Sequence, residues 1–203
     1  MKKIISLSIF FILFFQNSVN ADKLKAKNWL DSEISKIIEL YRDDNSPIEI
    51  RLDAIEQAIN KSFAGTGIAR FVVGKVWDQS TELAQQRFVT LFKEHLYLTI
   101  GSLMQGYSNQ NYQLVDSHED KNQGVYLIDM EIEHSDQVTE VTWRVKQSKD
   151  RYYVIDLLVA DISLVITKRA EFNSMLNKVN NDLSELNVLL IKQNSESYNN
   201  LIN

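Results

Sequence analysis

Read from the amino end, apolar positions first recur with a helical period. After a twelve-residue apolar region from Ile4 to Phe15, Leu24, Trp29, Ile34, Ile37, Ile38 and Tyr41 fall roughly on one helical face, and Asp43-Asp44-Asn45 ends that segment. Ser46-Pro47-Ile48-Glu49 has the form of a helix start, with serine at the N-cap, proline at N1 and glutamate at N3. That spacing predicts reciprocal capping, the serine accepting from the N3 amide and the glutamate reaching back. The helix is expected to run to about Asn60, with Ile50, Leu52, Ile55 and Ile59 inward. Phe63-Ala64-Gly65-Thr66-Gly67 breaks the chain, and a short helix follows through Ile68, Phe71, Val72 and Val76. Ser80 is expected to cap a long helix to about Met104. Its stripe of Leu83, Phe88, Leu91, Phe92, Leu96, Ile100 and Leu103 is broad enough to need cover on more than one side.

After Gly106 the period becomes two. Tyr126, Ile128, Met130 and Ile132 share one face and Asp129, Glu131 and Glu133 the other; Val141, Trp143 and Val145 likewise oppose Glu140, Thr142, Arg144 and Lys146. Ser148-Lys149-Asp150-Arg151 makes a hairpin connection to a strand whose Tyr153, Ile155, Leu157 and Val159 read as one apolar face. A weaker strand covers Tyr112 to Ser117, and helices are predicted over about 163–178 and 182–192, with the polar tail Gln193–Asn203 expected to fray. Helices, then about four antiparallel strands with one wet and one greasy face, then helices again, predict a single α+β domain over residues 22–203.

The amino end changes where that domain is expected to work. Lys2 and Lys3 precede the apolar run, and Val19-Asn20-Ala21 places compact residues for cleavage after Ala21, the form of a secretory signal peptide. The run falls short of the roughly 20 residues a membrane-spanning helix needs. Removing residues 1–21 takes the net charge from −5 to −7. The chain has no cysteine, which excludes disulfides, thiol chemistry and a lipid-bearing cysteine anchor. An acidic chain without a basic block argues against nucleic acid as a partner. The expected compartment is the periplasm, in soluble form.

Candidate chemistry is sparse. His95 is mid-helix beside Glu94, while His118 and His134 fall in expected loops, and no HExxH, GxSxG or phosphate-cradling loop occurs. His118-Glu119-Asp120 reads as a solvated acidic loop rather than a metal site, and Asp129, Glu131 and Glu133 as the wet side of a strand. An enzyme on this scaffold would need a pair such as Tyr126 or Tyr153 with Asp156. The apolar side is richer. The sheet offers Ile128, Met130, Val141, Trp143, Val145, Ile155, Leu157 and Val159; opposite stand Phe71, Val72, Phe88, Leu91, Phe92 and Leu96, then Val165 and Phe172 from the later helix. Filled and hollow interiors want the same residue types, so this set is either a solid core, as in a secreted structural or adaptor domain, or a ligand cavity.

A resemblance favours the cavity. Gly74-Lys75-Val76-Trp77 followed by a helix carrying Phe88-Val89-Thr90-Leu91-Phe92, and later Ile162-Ser163-Leu164-Val165 with Arg169-Ala170-Glu171-Phe172, resemble the MlaC family of periplasmic phospholipid-binding proteins, also called toluene-tolerance auxiliary proteins. The likeness covers nearly all of the chain after residue 21 in order of elements. Ala160-Asp161 stands where members often have Glu-Gly, and Thr81 where proline is usual. The resemblance implies a twisted antiparallel sheet and helices enclosing an apolar cavity that takes acyl chains, with the sixteen apolar residues named above as its lipid-binding set. It implies phospholipid as cargo, no cofactor and no enzymatic activity. It also implies partners: an outer-membrane lipoprotein–porin complex, and an inner-membrane ABC transporter acting through a ring-shaped substrate-binding subunit. Such a carrier would maintain outer-membrane lipid asymmetry.

Overall fold

A computed structural model of the chain describes residues 5–43, 45–105, 110–122, 124–134 and 137–202, with side chains from Asp22 onward except that of His134. The element order is α1 (Ile5–Arg42), α2 (Ile48–Ser62), α3 (Gly65–Val73), α4 (Lys75–Gln79), α5 (Glu82–Met104), β1 (Asn111–Glu119), β2 (Val125–His134), β3 (Gln137–Ser148), β4 (Arg151–Val159), β5 (Ile162–Ser163), α6 (Leu164–Lys178) and α7 (Leu183–Ile202). The α+β expectation holds. The strands form one antiparallel meander in the order β1-β2-β3-β4-β5, one short strand more than the pattern suggested.

The helices fall where the sequence places them, except that the short helix expected through Val76 begins at Gly65, inside the expected break, and is split at Gly74 into α3 and α4; their capping also departs from expectation. The Ser46–Glu49 box does not form: Pro47 occupies the N-cap of α2 without a side-chain cap bond. Thr81, not Ser80, caps α5, its hydroxyl accepting from the Ala84 amide, while Ser80 Oγ donates back to the Val76 carbonyl at 2.7 Å. Gly74, at φ +57°, separates α3 from α4, a left-handed conformation that glycine adopts without steric cost. Nor does the carboxyl end fray. Helix α7 continues to Ile202 because its polar residues reach α5: Asn187 Nδ2 donates to the Ala84 carbonyl at 3.0 Å and Asn194 Nδ2 to the Leu91 carbonyl at 2.9 Å.

Two bulges reset the sheet. In β4, Arg144 pairs Asp156 but Val145 pairs Val154, so Ile155 is an extra residue. The inward face therefore changes phase, running through Tyr152 and Val154 before the bulge and Leu157 and Val159 after it. The single apolar face predicted from Tyr153 to Val159 is thereby corrected. At the bulge, the Val154 carbonyl accepts from Ala64 N at 2.9 Å, tying the α2–α3 link to the sheet. A second bulge in β1 leaves Val115 without a partner opposite.

The interior is divided. One apolar cluster is helical and solid, built from α2, α3, α5, α6 and α7 around Phe88, Phe92 and Phe172, whose rings lie 5.5–5.7 Å apart. A second packs Ala26 and Leu30 of α1 onto Tyr126, Ile128, Val145 and Val154 of the sheet, and a small third joins Leu52, Leu98 and Leu201. Helix α1 thus covers only one end of the sheet's inner face. The rest of that face looks toward the helical cluster across a gap.

Candidate functional site

That gap is a cavity of about 420 Å³. The sheet contributes Met130 and Ile132 from β2, Thr139, Val141 and Trp143 from β3, and Leu157 and Val159 from β4. Helix α5 lays Phe92, Leu96, Ile100, Leu103 and Met104 along the opposite wall at the three- and four-residue spacing of one helical face. Ile34, Ile37 and Ile38 of α1, Ile68 of α3, Phe63, and Leu164 and Val165 of α6 complete the apolar lining. Leu103 is 70% and Val159 42% exposed, whereas Phe92 is fully buried, so the cavity runs from an open rim to a closed inner end.

Of the sixteen residues singled out in the sequence, the structure brings eight to this cavity: Phe92, Leu96, Met130, Val141, Trp143, Leu157, Val159 and Val165. Val72, Phe88, Leu91 and Phe172 lie in the solid helical cluster, and Ile128 and Val145 lie under α1. Phe71 is 40% exposed, with the Arg169 guanidinium 4.4 Å above its ring, and Ile155 is the bulge residue. The contributions of α1, Phe63, Ile68, Tyr112 and Thr139 went unseen. Ile34, Ile37 and Ile38 were legible as a helical stripe but not as a cavity wall, and Tyr112 and Thr139 join only through strand register.

Two ionisable residues also line the cavity: Asp156, named in the sequence only as a partner for a tyrosine, and Lys168, which the sequence did not single out. Asp156 is 7% exposed and ties β4 to the start of α6: its carboxylate accepts from Leu157 N at 2.8 Å, Ser163 Oγ at 2.7 Å and Val165 N at 3.1 Å. Ser163 Oγ in turn accepts from Ile166 N and so caps α6. None of the Asp156 hydrogen bonds is to a tyrosine. The Tyr126 hydroxyl donates to Gln147 Oε1 at 2.9 Å and the Tyr153 ring lies under Arg151, so neither tyrosine pairs with Asp156. Lys168, 8% exposed, places Nζ 2.9 Å from both His95 Nε2 and Glu171 Oε2. Burial, with the Lys168 charge second, lowers the His95 pKa to about 4, so this imidazole is neutral and accepts from the lysine.

Outside the cavity, Asp116, His118 and Asp129 bring potential metal-ligand atoms within 4.8 Å of one another. His118 and Glu119 lie in β1 rather than in the solvated loop expected for His118-Glu119-Asp120. Glu119 accepts from Gly124 N, and Asp120 pairs with Arg144 at 3.0 Å. Asp129 is engaged by Thr142, and Glu131 by Gln113. Among the described residues, no helix is long and apolar enough to cross a membrane.

Comparisons with known proteins agree with this geometry. The fold is similar to that of the phospholipid-binding protein from Ralstonia solanacearum, whose structure was solved with a phospholipid at 1.53 Å; the TM-score is 0.72 at 16% identity, covering 85% of this chain and 98% of that one. No curated protein matches the sequence. The family described as MlaC protein matches residues 31–190, a span that includes all the cavity-lining residues, from Ile34 to Lys168. The chain belongs to the MlaC family.

Proposed function

We propose that this chain is a carrier of phospholipid, acting by binding without catalysis, with acyl chain in the cavity and headgroup at the open rim. The observation that carries this reading is the cavity of about 420 Å³ whose lining is predominantly apolar. At about 0.8 kcal/mol per buried CH₂, two long acyl chains in water cost on the order of 20 kcal/mol, so a soluble carrier must hide them. Apolar walls match the bilayer interior closely enough for cargo to be handed over. The similarity to a protein solved with a phospholipid, and membership of the MlaC family, support the same cargo.

The finer setting belongs to the proposal. Residues 1–21 act as a cleaved secretory leader, and the mature chain works in the periplasm. It passes lipid between an outer-membrane lipoprotein–porin complex and the ring-shaped subunit of an inner-membrane ABC transporter. Cleavage after Ala21 would leave Asp22 at the start of α1, where an acidic residue is favourable; its carboxylate already pairs with Lys25 at 3.0 Å.

Mass spectrometry of lipid extracted from protein exported by the native host tests the reading. Diacyl lipid should co-purify, and Val165→Asp should reduce loading more than it reduces folding, because Val165 lines the cavity. Protein that never carries diacyl lipid, and takes none from liposomes, would refute it.

A further inference from the structure

The wet face of the sheet carries one group of side chains that lipid binding leaves unused. Strand β1 begins with Tyr112 opposite Ile132 and Leu114 opposite Met130, on the inner side of the sheet. Had that register continued, Val115 would face Asp129, and Asp116 would stand opposite Ile128 on the apolar side. The bulge at Val115 prevents this. It leaves Val115 43% exposed and pairs Asp116 directly with Asp129, with His118 two residues further along the same outer face. Like charges directly opposite one another across two strands repel, and the short aspartate side chain keeps both close to the backbone. Neither carboxylate has a lysine or arginine partner among the described residues, whereas nearby Asp120 is balanced by Arg144. The side chain that faces the pair is His118, its Nδ1 3.9 Å from Asp129 Oδ2.

These donors are arranged for one ion. Asp129 Oδ1 accepts from Thr142 Oγ1 at 2.7 Å, and Asp116 Oδ1 accepts from Ser117 N at 2.7 Å. Each carboxylate is thereby oriented and keeps a second oxygen with no protein donor on it. An oxygen from each and a ring nitrogen of His118 lie within 4.8 Å of one another. Around a four-coordinate zinc ion, nitrogen and oxygen ligands sit about 2.0–2.2 Å out, so neighbouring ligands are about 3.4 Å apart. Small side-chain rotations on this exposed face close the remaining gap, about 0.5 Å for the His118–Asp129 pair. The donor set also selects the cation. Calcium and magnesium take oxygen shells, whereas an imidazole nitrogen beside two carboxylates suits zinc and its first-row neighbours.

We propose that Asp116, His118 and Asp129 form a binding site for a divalent first-row transition cation such as zinc, and that the ion clasps β1 to β2 where the bulge interrupts their ladder. Three protein ligands leave a fourth position to water. The clasp acts on the edge strand that carries Tyr112, a residue of the cavity lining whose hydroxyl donates to Asp31 of α1 at 3.1 Å. The ion itself stands on the opposite face of the sheet from the cavity. The site is therefore independent of what the cavity carries.

Calorimetric titration with Zn²⁺ tests the site, on untagged protein exported by the native host and stripped of metal by a chelator. Co²⁺ absorption gives a second readout, of nitrogen and oxygen coordination. The unaltered chain should bind one equivalent in the micromolar range, and its melting temperature should rise with free Zn²⁺. Thr142→Val, which removes the donor that orients Asp129, should weaken binding about tenfold, and His118→Ala and Asp116→Asn at least as much. Glu131→Gln, a neighbouring acid outside the group, should leave the affinity unchanged. Absence of saturable binding overturns the site. So does an unaltered affinity in His118→Ala and Asp116→Asn. Equal weakening by Glu131→Gln and His118→Ala overturns it as well, since that pattern belongs to diffuse attraction toward an acidic face. If His118→Ala does not fold, Asp116→Asn decides by the same criterion.

Discussion

Whether the interior is hollow beside the sheet and solid among the helices can be decided by two truncations. Phe88 is fully buried and packs against Phe92 at 5.7 Å and Phe172 at 5.6 Å. Phe88→Ala removes a side chain enclosed by other atoms, so both lost burial and a new void contribute, about 3–5 kcal/mol. Met130 is buried from bulk solvent at 6% exposure, but one side of it borders the existing cavity. Met130→Ala enlarges a space already there and forfeits contacts on one side only, so the cost should fall to about 1–2 kcal/mol, below the usual 2–5 for a buried methionine. A domain with a total stability of about 5–15 kcal/mol registers that difference clearly. Urea unfolding of delipidated protein measures both, with equal m-values as the check that only stability has moved. Lipid should narrow the difference: bound cargo stabilises the unaltered chain and Phe88→Ala alike, and Met130→Ala less. Equal costs for the two truncations in delipidated protein would mean that Met130 is enclosed on all sides, and the hollow would be refuted.

Further outcomes test the local chemistry. Thr81→Ala should cost about 1 kcal/mol, the worth of an N-cap, while Ser46→Ala should stay within about 0.5 kcal/mol, because Ser46 caps nothing; equal losses in thermal unfolding would contradict the capping pattern. Ala160 has φ +46° in the two-residue turn between β4 and β5, so Ala160→Gly should stabilise by about 1 kcal/mol, and a loss of stability would show that the turn is not strained. Burial, with Lys168 second, holds His95 near pKa 4 against 6.5 when unfolded, so the unfolded chain binds the extra proton between those values and stability rises with pH across that window. Acidification from pH 7 to 5 should cost on the order of 2 kcal/mol through this group, and His95→Gln should flatten that part of the urea-midpoint profile; an unchanged slope in the variant would assign it elsewhere.

The elements were largely legible because each is written in a local period. The helical stripes and the alternation of β2 and β3 depend on residues within a few positions of one another, whereas the split of the expected short helix at Gly74 was not read from them. The failures are equally specific. Ile155 belongs to an unbroken run of β-formers, and nothing in that run marks it as the extra residue; the bulge exists where Ala64 N docks on the Val154 carbonyl. The tail after Gln193 is polar enough to read as frayed, yet Asn194 is 1% exposed because its amide meets the Leu91 carbonyl of α5. Lys168 looks like any surface lysine until α5 brings His95 against it across 73 positions of sequence.

By itself, then, the sequence determined the fold class, the order of elements, the expected leader and the MlaC likeness, since hydrophobic period and short motifs are properties of neighbouring residues. Only the tertiary structure decided that half of the apolar set is cavity wall while most of the rest is packed core. That division depends on where α1 stops covering the sheet: Ala26 and Leu30 pack onto Ile128 and Val145, while Ile34, Ile37 and Ile38 stand across the gap from Met130 and Val141. An apolar side chain has the same sequence signature whether protein atoms or cargo fill the space beside it. The distance between two packed layers, which no local pattern encodes, tells them apart.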